Sequence, residues 1–195
     1  MQLRDKFLKL TDEELMLHIC EGEARAFDEL YKRYGKRLLG YFIRMLNFDK
    51  TMAEDALQDV FMKIAECPEK FDGSRSFKTW VFSIASNYCK NVYRHNEVVT
   101  TSKAELNYIE QSHSENDFVK MAAKLDAIEF RTMLNEVLNG LPPERKEAFI
   151  LKYQEDKSIS EIALIQNCPE GSVKSRLHYT LKLLEEKLHI FNPTA

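Results

Sequence analysis

Ser158-Ile-Ser-Glu-Ile-Ala163, followed by Asn167-Cys-Pro-Glu-Gly-Ser-Val-Lys-Ser-Arg-Leu-His178, reads as two short helices joined by a tight turn. Ser158 and Glu161 stand at S-x-x-E spacing, a capping box that opens the first helix. Ile159, Ile162, Ala163 and Ile165 supply its apolar contacts. Asn167 can adopt the left-handed conformation that ends a helix, and Pro169 suits the first turn of the next. From Gly171 to Leu184 there is no acidic residue, whereas Lys174, Arg176, His178 and Lys182 are present. An acid-free basic helix after a tight turn is what a helix-turn-helix inserts into a major groove. Nucleic acid is therefore the first partner to consider.

The rest of the chain is helical in pattern. With 195 residues, six Gly and five Pro, it can bury a core, and alternating apolar and polar stretches are hard to find. The fold class expected is all-α. A net charge of -3 argues mildly against a DNA binder, but the charge is unevenly distributed. Acid-free basic segments run from Arg75 to Arg94 and from Gly171 to Leu184, and acids gather at Glu105 to Asp117 and around Glu54, Asp55 and Asp59. Taken alone, such runs are most simply solvated helix faces. Cys20, Cys67, Cys89 and Cys168 lack metal-ligand spacing, so reduced thiols, no metal and no cofactor are expected. No apolar run reaches membrane-spanning length, and no leader-like apolar segment opens the chain, so a cytoplasmic protein without membrane insertion is expected.

Thr11 to Glu14 forms a capping box for a helix through Cys20. From Glu23 to about Met45, Phe27, Leu30, Tyr31, Tyr34, Leu38, Tyr41, Phe42 and Met45 share one face. Asn47 to Lys50 breaks that helix, and Thr51 to Glu54 is expected to cap the next, whose Ala53, Ala56, Leu57, Val60, Phe61 and Ile64 point inward. After a loop from Cys67 to Gly73, a helix from Phe77 to about Tyr93 presents Phe77, Trp80, Val81, Ile84, Ala85, Tyr88 and Val92. From His95 to Asn116 the pattern dissolves. Periodicity returns with Leu125, Ile128, Met133, Leu134, Val137 and Leu138, ends at Gly140, and resumes after Pro142-Pro143. The expected architecture is two small helical domains, 1–95 and 120–195, joined by a flexible linker over 96–119, the second being a helix-turn-helix. About twenty extended residues reach roughly 65–70 Å, so such a linker lets two reading heads sit well apart on one duplex.

Three constellations stand out. Asp55, Gln58 and Asp59 form one polar stripe opposite an apolar face, with Phe61 close by; on its own the stripe reads as a solvated surface. Lys78, Asn87, Lys90, Asn91 and Arg94 interleave with Trp80, Tyr88 and Tyr93 without acids. That mixture suits single-stranded DNA, where bases stack and cations hold phosphates, although the period of Trp80 equally suits core packing. Ser172, Lys174, Ser175, Arg176 and Tyr179 lie in the first half of the last helix, the part that reaches base edges. Arg176 could pair bidentately with guanine or simply hold a phosphate, and Lys174 could do either. No Ser/His/Asp grouping or Gly-rich phosphate loop points to an enzyme.

The order of these motifs resembles the sigma-70 family of bacterial transcription initiation factors, and within it the compact extracytoplasmic-function class. The matching segments are Ala26 to Tyr31 with Arg33 and Tyr34; Ala53 to Phe61; Phe77 to Ala85 with Asn87 and Arg94; Leu141-Pro142; and Glu161 to Ala163 followed by Gly171 to Arg176. Each is weak alone, and five in order are specific. The resemblance implies an alternative sigma factor without catalytic residues. It implies core RNA polymerase as partner, with the β′ clamp helices docking on Asp55, Gln58, Asp59 and Phe61 and the β flap a further contact. It implies −10 promoter DNA, as a single strand, on Lys78, Asn87, Lys90, Asn91 and Arg94, with a flipped base lodged near Cys67 to Ser76. The −35 duplex falls to Ser172, Lys174, Ser175, Arg176 and Tyr179, and an anti-sigma factor is the usual restraint in the class. Asn91, Asn167-Cys168 and Tyr179 depart from residues common in the family, and all lie at DNA-facing or packing positions. The rival reading is a transcriptional regulator that binds duplex DNA through the helix-turn-helix alone.

Overall fold

The computed structural model describes residues 4–100 and 118–189, with side chains described over 6–95 and 128–189. The helices follow in order: α1 Arg4–Leu8, α2 Asp12–Cys20, α3 Ala24–Met45, α4 Lys50–Glu66, a 3-10 turn Pro68–Lys70, α5 Phe77–Thr100, α6 Phe118–Asn139, α7 Pro143–Tyr153, α8 Ile159–Gln166 and α9 Glu170–Lys187. No strand occurs among the described residues. The all-α expectation holds. Helix α5 extends into the expected linker and α6 starts just before its end; residues 101–117, with the acid-rich Glu105 to Asp117, lie outside the described residues.

Local signals start and stop the helices. Thr11 Oγ1 accepts from Glu14 N and Glu14 Oε2 accepts from Thr11 N, completing the capping box of α2. Helix α3 stops where Asn47 and Phe48 both adopt positive φ, 54° and 66°. The cap of α4 differs from expectation. Asp49 is the N-cap and accepts from Met52 N at 2.9 Å, while Thr51 lies exposed in the first turn. Asp49 is the first residue after the left-handed pair to regain extended geometry, so its carboxylate meets the free amides first.

The N-terminal unit packs α2, α4 and α5 around α3. Leu30, Tyr34, Leu38, Tyr41, Phe42 and Met45 are buried, but Tyr31, expected on the same face, is 46% exposed. Helix α5 buries more than its expected stripe: beside Phe77, Val81 and Ala85, Phe82, Ser86 and Cys89 are also covered. The reason is that α7 and α8 lie over it. One apolar cluster runs from α3 and α5 through Ile150, Leu151, Ile162, Ile165, Val173 and Leu177 of the C-terminal unit. A smaller cluster of Leu138, Leu141, Phe149 and Leu184 ties α7 and α9 to the end of α6.

The seam between the units carries buried charge. Lys146 donates to Asn47 Oδ1 at 2.7 Å and to Asn139 Oδ1 at 2.8 Å, and its Nζ stands 3.4 Å from Met45 O at the end of α3. A cation beside the Met45 carbonyl complements the C-terminal end of α3. Burial pulls its pKa down to about 8. Glu155 is held by Arg37 and Arg44, each at 3.1 Å. Burial still raises Glu155 above its ordinary value, against the pull of both arginines.

Candidate functional site

On α4, Asp55, Gln58 and Asp59 are exposed and share one face, as their spacing predicts. Phe61 points inward, as its helical period predicts. It is buried, set edge-on to Phe27 at 5.8 Å and tilted against Tyr31 at 4.7 Å. There it lines an open groove of about 550 Å³ between α3 and α4, with Tyr31, Leu57, Gln58 and Met62 along it and Glu54 at its edge. The exposed apolar groups on this face are Tyr31 and Met62, 46% and 47% exposed. Helical period alone assigned Tyr31 to the core, and Met62 follows the inward Phe61 without any signal of its own.

On α5, Asn87, Asn91 and Arg94 are exposed at i, i+4 and i+7, a continuous strip. Lys78 and Lys90 are half-buried on the side that meets the C-terminal unit. Lys90 Nζ donates to Gln166 O at 3.2 Å. The aromatics do not join the strip as stacking platforms. Trp80 packs against Phe71 and Phe77, with ring centroids 5.2 and 5.9 Å away. The Tyr93 hydroxyl donates to Met45 O. Burial, then Asp59 and Asp55, raise the pKa of Tyr88, which therefore lies in the acidic field of α4. That field repels phosphate.

The helix-turn-helix forms as its sequence dictates. Ser158 and Glu161 complete the capping box, and Asn167 ends α8 at φ 52°, ψ 56°. Pro169 serves as the N-cap of α9, one step before the position expected for it. Lys174, Ser175 and Tyr179 are exposed on α9, and Ser172 is half-buried. The Arg145 guanidinium of α7 lies 5.4 Å from the Tyr179 ring centroid. Arg145 thus adds a cation beside the exposed edge of α9, and no sequence spacing relates the two. Arg176 is half-buried and already engaged: it donates to Gln166 Oε1 at 2.6 Å and to Cys168 Sγ at 3.2 Å.

The predicted residues thus fall on three surfaces: an acidic face with an apolar groove, an exposed polar strip on α5, and α9. Sequence reasoning missed Lys146, Glu147, Glu155, Lys157 and Gln166, which are buried where the units meet.

Residues 30–98 match the family described as Sigma-70 region 2, and residues 131–184 match Sigma-70, region 4. The chain is 31% identical over 192 residues to the ECF RNA polymerase sigma-E factor of Haemophilus influenzae, covering 92% of this chain and 96% of that one. It is 29% identical over 183 residues to the RNA polymerase sigma-H factor of Pseudomonas aeruginosa, covering 91% and 93%. Two solved structures share the fold. One is CnrH in complex with the cytosolic domain of CnrY, with TM-score 0.66, 22% identity and coverage of 92% of this chain and 97% of that one. The other is the sigma factor RpoE in complex with the anti-sigma factor NepR from Bartonella quintana, with TM-score 0.64, 24% identity and coverage of 84% and 97%. The chain belongs to the extracytoplasmic-function class of the sigma-70 family, the initiation factors that direct RNA polymerase to promoters.

Proposed function

We propose that this sigma factor docks on core polymerase through the exposed face of α4, captures the −10 element as a single strand along α5, and reads the −35 duplex with α9. One observation carries the division of labour: the chain segregates its charge by surface. The α4 face combines Asp55 and Asp59 with an apolar groove, which suits a protein partner and repels DNA. Asn87, Asn91 and Arg94 offer amides and a cation without acids, which suits unstacked bases and phosphates. Lys174 and Ser175 stand on the first half of α9 and Tyr179 at its middle, near where a recognition helix meets base edges.

Opening a promoter without ATP requires that captured bases offset the few kcal/mol per extruded base. A duplex-only regulator has no use for the α4 groove or the α5 strip. An anti-sigma factor is a further partner, by analogy with the neighbouring complex of RpoE with NepR. No described helix is long and apolar enough to cross a membrane, and the place of action is the cytoplasm, with the polymerase. In-vitro transcription with core polymerase on a promoter library tests the reading. Polymerase-dependent initiation by a monomer supports it, and polymerase-independent binding of dimers to palindromic sites refutes it.

A further inference from the structure

Helix α2 has no part in the three surfaces, yet it reaches the loop that leads into α5. That loop, residues 72–76, is exposed at every position, so no buried side chain of its own holds its shape. Three anchors hold it instead. At its start, the Phe71 ring packs on Phe77 and Trp80, with centroids 5.8 and 5.2 Å away. In its middle, Asp72 Oδ1 accepts from Ser74 N at 3.0 Å and from Ser74 Oγ at 2.7 Å, and Asp72 O accepts from Arg75 N at 2.9 Å. At its end, Phe77 N donates to Glu13 Oε1 at 2.9 Å. The first two anchors are local, whereas the third reaches 64 residues back along the chain.

The Phe77 amide is one of the donors that the first turn of a helix leaves without an intrahelical acceptor. Ser76 serves the amides of Thr79 and Trp80, and Glu13 serves the one that the loop itself does not. A carboxylate there also answers the positive end of α5. Burial against Tyr34 and Trp80 fixes where the Phe77 ring lies. The hydrogen bond fixes the plane of the 76–77 peptide, and therefore the direction in which the loop leaves α5. The platform under Glu13 is itself locked. The Thr11 and Glu14 capping box closes α2, and Asp12 is paired with Arg33 at 2.8 Å and accepts from the Tyr34 hydroxyl. Helix α2 also packs against the 3-10 turn Pro68–Lys70, so one helix bears on both flanks of the loop.

A loop that grips an unstacked base gains from being set in advance, because binding then carries little ordering cost. We propose that Glu13 is a positioning residue for strand capture: from α2 it sets the peptide plane at the start of α5 and so holds loop 72–76 in shape to take a base of the −10 strand. This rests on the reading of α5 and the loop before it as the −10 site. It brings a helix outside the three surfaces into promoter opening.

The test uses holoenzyme, core polymerase reconstituted with the full chain. The probes are fluorescent single strands carrying the −10 region of the best library promoter and its single-base variants, read by anisotropy. Circular dichroism and urea unfolding of the free chain check folding. Glu13→Ala removes the acceptor. Glu13→Asp keeps the charge in the first turn of α2 but leaves the carboxylate one methylene short of the Phe77 amide. Both should lower discrimination between bases about fivefold at the position the loop grips, the worth of one net hydrogen bond, and leave other positions as they were. Glu13→Gln keeps Oε1 as an acceptor and should restore most of the discrimination. A folded Glu13→Ala or Glu13→Asp with an unchanged profile overturns the proposal. So does an equal loss at every position, which marks a residue that only stabilises the fold, and so does a Glu13→Gln chain that behaves as Glu13→Ala. Failure of the underlying reading shows elsewhere: Asn87→Ala with Arg94→Ala would then leave single-strand affinity unchanged, whatever Glu13 does.

Discussion

The outer face of α4 and the inner face of α5 belong to one small unit and treat their polar groups in opposite ways. On α4, Asp55, Gln58 and Asp59 stand in solvent with no hydrogen bond or ion pair among the described residues. On α5, Lys90 is spent on Gln166, and Ser86 and Cys89 are sealed under the C-terminal unit. A face kept bare is ready for a partner in the free chain. A face built into a seam meets a partner only after the seam yields, and the partner's binding energy must cover that opening. On the function proposed above, the polymerase-docking surface is thus available before the full DNA-reading surface is.

The sharpest way to break the comparison is to reverse the bare face. Asp55→Arg with Asp59→Arg should reduce capture by core polymerase more than a hundredfold while helicity and the radius of gyration stay unchanged, because these carboxylates hold nothing inside the chain. Pull-down with core polymerase gives the first readout and scattering the second. Retained capture would remove α4 from the docking surface.

How far these faces were legible in advance depends on the range of the forces that make them. Capping boxes at Thr11 and Ser158 and the left-handed Asn167 are decided within a few residues, and they read correctly. The bare stripe on α4 also follows from helical period alone. The seam does not. Lys146, Glu147, Glu155 and Lys157 are charged, so any pattern of apolar period assigns them to the surface, yet each is at most 3% exposed. Their burial is decided by partners far along the chain, such as Tyr41 for Glu147 and Arg37 and Arg44 for Glu155. Phe82 on α5 was invisible for the same reason: Tyr41 packs its edge and Lys157 stands over its ring. Phe61 was also legible from helical period, which turns it inward to pack on Phe27 and Tyr31.

A second break concerns the exposed strip of α5, which escapes the seam. Asn87→Ala with Arg94→Ala leaves Lys90 and its contact in place, so the units should stay docked as before. Open-complex formation on intact duplex should nevertheless fall at least tenfold, because the cost of extruding bases is no longer offset. A pre-melted bubble template should restore it. Permanganate reactivity of thymines near the start site reads both templates, and normal opening of intact duplex would remove this strip from melting.

Arg176 sharpens the comparison on the other unit. With core polymerase bound, Arg176→Ala should cost about 1–3 kcal/mol on the best promoter and relax preference at one −35 position if the guanidinium pairs with a base. Uniform weakening across promoters with a shallower salt dependence would mark a phosphate contact instead.

The smallest effect lies in the seam's own charge. Lys157 is fully buried, with its Nζ 4.9 Å from the Phe82 ring centroid and 3.6 Å from Glu161 Oε1, and it has no hydrogen-bond partner among the described residues. Burial, aided by nearby Lys78 and Arg37 and opposed by Glu161, pulls its pKa from 10.5 to about 8. The sign follows from proton counting. Between about pH 8 and 10.5 the unfolded chain holds a proton on this lysine that the folded chain has released, so stability rises with pH in that window; below about pH 8 both states become protonated and the slope fades. Lys157→Met keeps the length of the side chain and removes the titration. Urea unfolding of both proteins at pH 7, 8 and 9 should therefore show the unmodified chain gaining about 1 kcal/mol on the variant between pH 8 and 9, and about a third of that between 7 and 8. Taking the difference cancels the contributions of Lys146, whose pKa is lowered in the same way, and of Cys89, whose thiol burial pushes up. A flat difference over this range would mean that Lys157 reaches water and that the seam is looser here than its burial implies.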